Sequence, residues 1–301
     1  MDIEDIGKQL TLRKSQIISC SRRTDVPAFY MNEIITDMER GYTIVPNPRN
    51  SKMKSKISLD PRDVVGFVWW SKNYTNWIKM FTNNEQPKYK ELLSRYTHMF
   101  NFTINSESPL EPNVSPLVQR LKQLKWLAHT FTPTAIKCRF DPIVFYCRND
   151  TPEITENNLT QFELIMKFIG SCGIDEVIFS FCLAYPQVKR NMEQSGFILI
   201  TLDRQQKRDL TTHLITIAKK YSVKMCCCSE SDLEGLPDLH TSMCIDGFRM
   251  EQLSGKVIKN KKKDSGQRVK CNCTSSRDVG HYDWACSHSC AYCYANPVLV
   301  N

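Results

Sequence analysis

The 301 residues, 41% hydrophobic and 10% aromatic, suffice for one large α/β domain or two smaller ones and exclude a disordered chain. No apolar run nears the roughly 20 residues of a membrane-crossing helix; the strongest, GFILITL at 196–202, has the size of a strand. Charge is concentrated: of the net +8, the stretch from Glu251 to Lys270 holds seven Lys or Arg against Glu251 and Asp264, hence +5. The Lys256–Lys270 loop therefore reads first as solvated and second as a contact for nucleic acid. The acidic start, MDIEDIGKQL, lacks the apolar stretch of a secretory signal, so the expected location is cytoplasmic or nuclear.

In chain order, IISC (17–20) predicts a first strand. A helix follows, signalled at Asp25, opened by Pro27 and closed by Gly41. TIV (43–45), VVGFVWW (64–70) and FNFTI (100–104) predict the next strands. Leu117, Val118, Leu121, Leu124 and Leu127 then make an apolar helical face before the strand IKCRF (136–140). Leu159, Phe162, Ile165 and Ile169 make another face, followed by the strand VIFSFC (177–182). A third face, Leu210, Leu214, Ile217 and Tyr221, is capped by Asp203 and leads into VKMCCC (223–228). Several strands are nearly continuous apolar runs, as in parallel strands covered on both sides. Repeated βα units predict an α/β fold, a full or partial parallel barrel. Residues 1–228 form its core, and 229–301 a cysteine-rich cap packed on that core.

A chain kept in a reducing compartment uses clustered cysteines as metal or redox ligands rather than disulfides. Nine of the 14 cysteines fall between 226 and 293. Cys286, Cys290 and Cys293 stand in a C-x3-C-x2-C pattern, with Tyr292 before the last. Soft thiolates hold cluster iron, and three of them on a 4Fe–4S cluster leave one iron open. In radical S-adenosylmethionine (SAM) enzymes that open iron takes the amino and carboxylate groups of SAM. Zinc is the competing occupant of the same thiolates. Cys228, Cys244, Cys271 and Cys273 suggest a second site, zinc or an auxiliary iron–sulfur cluster. Strand alternation points Cys226 and Cys228 one way and Cys227 the other.

The blocks CSRRTDVPAFY (20–30), WWSKN (69–73), RFDPI (139–143) and GQRVKCNCTSSRDVGHYDWACSHSCAYCYAN (266–296) closely resemble an uncharacterised family, a domain of unknown function. Its members end in a cysteine cluster like that of radical SAM proteins. The resemblance implies an iron–sulfur protein related to those enzymes, with SAM and a reductant protein as partners. It assigns no reaction. In ordinary radical SAM proteins the cysteines follow the first strand and a Gly-Gly-Glu motif follows the second. Here the cysteines come last, and the second predicted strand stands in YTIVPNPRN (42–50), with no Gly-Gly-Glu after it.

Functional groups of βα barrels collect at the carboxyl ends of the strands. Here those ends carry Arg22, Arg23 and Asp25, then Lys72 and Asn73, then Arg139 and Asp141. Arg22, Lys72 and Arg139 suit the SAM carboxylate or an anionic substrate, and Asp25 or Asp141 a ribose. Arg23 and Asn73 join Tyr292 as candidate cofactor contacts. An internal ion pair is the rival reading of Arg139 and Asp141. No paired nucleophile and base suggests a hydrolase.

Overall fold

The computed structural model of the chain describes residues 15–47, 50–227, 229–258, 261–263, 267–268, 270–281, 283–295 and 297–299. The first strand, β1 (Gln16–Cys20), leads to the short helix α1 (Val26–Phe29) and to α2 (Met31–Arg40). A hairpin of β2 (Tyr42–Asn47) and β3 (Asn50–Ser58) precedes β4 (Val64–Ser71), α3 (Thr75–Thr82) and α4 (Pro87–Leu93). Then come β5 (His98–Thr103), α5 (Leu117–Phe131), β6 (Ile136–Ile143), β7 (Phe145–Arg148) and β8 (Thr151–Asn157). The chain continues through α6 (Phe162–Ser171), β9 (Glu176–Phe181), α7 (Pro186–Gln194), β10 (Phe197–Ile200) and α8 (Arg204–Lys219). It closes with β11 (Lys224–Cys227), β12 (His240–Thr241), α9 (Gly247–Ser254) and β13 (Arg277–Asp278).

One eight-stranded sheet, in the order β12-β11-β9-β6-β5-β4-β1-β13, has parallel pairing throughout. From β1 onward the order follows the chain, and β13 returns to the free edge of β1. No ladder joins β12 to β13 among the described residues, so the sheet is not a closed barrel. TIV (43–45) does not enter this sheet. It pairs antiparallel with β3 in a separate hairpin, while β7, β8 and β10 form a third, antiparallel sheet. No described helix is long and apolar enough to cross a membrane.

Side-chain alternation sorts the main sheet into two faces. Ile18, Phe67, Trp69, Phe100, Phe102, Cys138, Phe140 and Cys227 belong to the large cluster packed with the helices. Ile17, Val68, Met99, Ile178 and Cys226 belong to the opposite face, with Cys244, Ile245, Met250 and Cys273. Cys226 and Cys227 thus point apart; Cys228 lies outside the described residues. Gly66 lets α9 approach, because a Cβ there would stand 2.4 Å from the Met250 sulfur and 2.8 Å from the Thr97 carbonyl. The C-terminal segment does more than cover the core: it supplies both edge strands and part of this second cluster.

Local rules account for most element boundaries. In α5, Leu117, Leu121, Leu124 and Leu127 are buried, but Val118 is 60% exposed, one position off the apolar stripe. Asp203 and Gln206 form a capping box at the start of α8. Asp25 caps α1 by accepting from the Ala28 amide, and Gly41 ends α2 in the left-handed conformation. The single helix expected between them breaks at Tyr30. Its ring stacks on Trp284 at 4.5 Å and its hydroxyl donates to the Ala285 carbonyl at 2.6 Å, tying this turn to the distant cysteine loop.

Candidate functional site

The loop leaving β1 is held by Asp278 of β13. That carboxylate accepts from the Ser21 hydroxyl at 2.7 Å, the Ser19 hydroxyl at 3.2 Å and the backbone amides of Arg22 (3.0 Å) and Gly280 (3.1 Å). Arg23 braces the same turn through the Gly280 carbonyl at 2.9 Å and Asp278 at 3.6 Å. Position 280 has room for glycine alone, since a Cβ would stand 2.0 Å from the Ser21 oxygen. Asp25 is likewise committed to the protein. One oxygen caps α1, and the other accepts from the Lys72 amide and the His288 Nε2–H, each at 2.8 Å. It ties the ends of β1 and β4 to the cysteine loop.

Behind that loop lies a buried polar cluster. Lys72 Nζ donates to Glu111 Oε1 at 2.9 Å and to the Tyr292 hydroxyl at 3.0 Å. Asn105 donates to the same two oxygens, and Tyr292 donates to Glu111 through a very short bond. Burial pulls the Lys72 ammonium down, but the Glu111 carboxylate and the Cys290 sulfur together outweigh it and hold the pKa above the ordinary lysine value. Burial pushes the Glu111 carboxyl up, yet Lys72, the Tyr292 hydroxyl and Arg120 together hold it below the carboxylate range. Burial and the neighbouring Glu111 raise the Tyr292 phenol. Glu111 Oε2 stays buried without a partner.

The cysteine loop seats on this cluster. Ala291 donates to the Leu110 carbonyl at 2.9 Å, Asn113 to the Ser289 hydroxyl at 2.8 Å, and Asn191 of α7 to the Cys293 carbonyl at 2.7 Å. Ser289 adopts the left-handed conformation, φ 58°, turning the chain between Cys286 and Cys290. The three sulfurs lie within electrostatic reach of one another. Burial, then the Asp25 charge, pushes the Cys286 thiol up to about 12, and burial raises Cys290 and Cys293 as well. His288 Nδ1 is buried and unpartnered beside them. Among the described residues no three His, Cys, Asp or Glu side chains are grouped so as to hold a metal ion. A cluster asks for a wider arrangement than one ion does. Each thiolate takes its own iron, whereas two thiolates on one tetrahedral zinc approach to about 4 Å.

A cavity of about 640 Å³ opens at the same strand ends, lined by Arg22, Trp70, Arg139, Asp141, Ser180 and Tyr292 among others. Arg139 pairs with Asp141, which also accepts a short bond from the Ser180 hydroxyl, and donates to the Cys244 sulfur at 2.7 Å. Burial pulls this guanidinium down, and Asp141 with the Cys244 sulfur more than restores it, so its pKa stands above the ordinary arginine value. Arg22 and Arg139 both face the Trp70 ring, at 5.5 and 5.2 Å. Cys293, Cys244, Cys271 and Cys273 all line the cavity. The Cys273 thiol contacts both Cys244 and Cys271, which with burial hold it well above the ordinary thiol value, and accepts from the Ile245 amide at 3.4 Å.

Of the residues chosen from sequence, Arg22, Arg139, Asp141, Tyr292, Cys293, Cys244, Cys271 and Cys273 meet at the cavity. Lys72 reaches it only through the lining Tyr292, and Asp25, Cys286 and Cys290 are not among its lining residues. Arg23 is a brace, and Asn73 turns away, its oxygen accepting from the Thr75 amide and the Gln123 side chain. Cys228 lies outside the described residues. Asn105 belongs to the polar strand ends expected from sequence, whereas Glu111, Ser180, His288 and Asp278 are the members that sequence reasoning missed. Of these, His288 sits between two motif cysteines, where spacing alone offered a signal.

A family model described as "Domain of unknown function (DUF1848)" matches residues 17–295. No curated protein matches the chain.

Proposed function

The chain belongs to the DUF1848 family, and from its own geometry we propose that it is an iron–sulfur enzyme of the radical SAM type. What supports the reading is the seat of the cysteine loop. Its last residue lines the strand-end cavity, and its Cys290 sulfur lies within electrostatic reach of Lys72 and Glu111. Parallel α/β sheets bind substrates at these ends. The donor set fits a 4Fe–4S cluster: three soft thiols on one short loop, the Lys72 cation near Cys290, and the unpartnered His288 nitrogen beside them. Cys286, Cys290 and Cys293 would hold it. When bound, the cluster and SAM supply one-electron cleavage of the sulfonium, with electrons from a reductant protein.

The protein's own part is positioning. Asp25 and Asp278 fix the first loop, and the Lys72–Glu111–Tyr292 cluster fixes the cysteine loop from behind. Arg139 would face the SAM carboxylate, held in place by Asp141, while Asp141 also lies in reach of a ribose. A second metal, zinc or an auxiliary cluster, would be held by Cys244, Cys271 and Cys273 together with Cys228. The nucleic-acid reading of the basic loop has less behind it. Lys256 donates to the Pro61 and Val64 carbonyls, Lys261 pairs with Glu251, and Lys270 pairs with Glu234.

The test is reductive SAM cleavage by the reconstituted, reduced protein, read as 5′-deoxyadenosine. Arg139→Ala should suppress it while leaving cluster iron intact. A fully loaded protein that releases no 5′-deoxyadenosine would remove the SAM part of the proposal.

A further inference from the structure

The cavity contains a polar group that the protein itself leaves unsatisfied. The Gln267 carboxamide lines the wall, and both its oxygen and its nitrogen are buried without a partner. Buried polar groups are normally hydrogen-bonded, so a side chain presenting both a donor and an acceptor unmade is matched to something that fills the space. The complement is a planar group with adjacent donor and acceptor. Beside it stand Tyr185 and Tyr294, 42% and 62% exposed, with rings 6.3 Å apart and crossed at 74°. They offer aromatic faces on which a flat ring stacks. Arg268 lies 3.5 Å from the Tyr185 hydroxyl. Its guanidinium and that of Arg22 enter no ion pair with a carboxylate among the described residues, whereas Arg139 is neutralised by Asp141. The wall thus carries two guanidiniums without a close carboxylate partner among the described residues, matching a phosphate dianion.

We propose that this cavity takes a nucleoside 5′-monophosphate as its substrate. Gln267 reads the hydrogen-bonding edge of the base, Tyr185 stacks on its face while the crossed Tyr294 ring meets its edge, and Arg22 and Arg268 hold the phosphate. The volume lies within the range of small-ligand sites, about 300–1,000 Å³. The inference takes from the proposed function only the location of the site and needs neither cluster nor SAM.

Calorimetric binding to the full chain, in the absence of SAM, tests it with the four common nucleoside 5′-monophosphates, their nucleosides and ribose 5-phosphate. At least one mononucleotide should bind about tenfold tighter than both its nucleoside and ribose 5-phosphate. Gln267→Leu should abolish the preference over ribose 5-phosphate while leaving ribose 5-phosphate binding unchanged. Tyr185→Ala, which removes a part-exposed ring, should weaken the mononucleotide alone, and Arg268→Gln should weaken both phosphates. The Cys286/Cys290/Cys293 triple-alanine variant should bind the mononucleotide as the wild type does, which separates this result from the fate of the cluster. No preference for any mononucleotide, or a preference untouched by both Gln267→Leu and Tyr185→Ala, overturns the proposal. So does a Gln267→Leu loss equally large for SAM, since Gln267 would then read the adenine of SAM.

Discussion

Replacing Lys72 by Met would leave the Glu111 carboxylate buried, its side chain 3% exposed, with its nearest cation gone. Breaking one side of a buried ion pair costs about 3–5 kcal/mol. Lys72 keeps 15% side-chain exposure, so the lower end, about 3 kcal/mol, is the expected loss at pH 7. At about 2–4 °C per kcal/mol for a large domain, the melting temperature should fall by about 6–12 °C. The sign of the pH dependence follows from the carboxyl. In the wild type its pKa is depressed, so its contribution is complete above the ordinary value of 4.5 and is lost as pH falls through the folded value. Without Lys72, burial raises it, the folded state prefers the protonated form, and the deficit shrinks as pH falls from 7 towards 5. Urea denaturation of the metal-free protein, followed by fluorescence of buried Trp69 and Trp77, measures both. Adding Glu111→Gln should restore about half the loss, because the second change removes the stranded charge. A deficit below about 1 kcal/mol, constant across pH and unrelieved by the second substitution, would refute the reasoning.

His98 supplies a separate pH signature. It accepts from Trp69 Nε1 at 3.0 Å and donates to the Leu93 carbonyl at 2.9 Å, and burial pulls its pKa from 6.5 to about 4. Its neutral form is required in the fold, so stability should fall by about 3 kcal/mol as pH drops from 6.5 to 4. In pH-dependent denaturation, His98→Gln should lack this component; an identical slope would contradict the assignment. For the second metal, the Cys271→Ser/Cys273→Ser variant should lose, by elemental analysis, the metal of that site (one zinc, or the iron of one auxiliary cluster), while keeping the iron of the Cys286 loop. Unchanged metal content in that variant would remove the second site.

The sequence was most legible where burial is simplest. Parallel strands covered on both sides are continuous apolar runs, and β1, β4, β5, β6, β9 and β11 lie where those runs predict. TIV (43–45) has the same local signature, but its partner is the lysine-rich β3, NSKMKSKIS, whose exposed alternation does not look like a strand in a core. Strands β12 and β13 span two residues each, too short for any pattern, yet β13 places Asp278 against the first loop. The site divides in the same way. Cysteine spacing marks the candidate ligands, because those ligands are close in sequence. Glu111 and Asn105 sit in an irregular stretch, and their part emerges from contacts across 181 and 187 residues to Tyr292. Asp25 and Arg23 were recognised as polar strand-end residues, but their bracing contacts depend on partners more than 250 residues away.

The central claim is that Cys286, Cys290 and Cys293 hold a 4Fe–4S cluster at the strand-end cavity. Iron and acid-labile sulfide analysis of anaerobically reconstituted protein tests it most directly, comparing wild type with the Cys286/Cys290/Cys293 triple-alanine variant. The account predicts a brown wild-type protein in which this site holds about four iron and four sulfide per chain, and a variant lacking that amount. Equal iron and sulfide in the two proteins would contradict it.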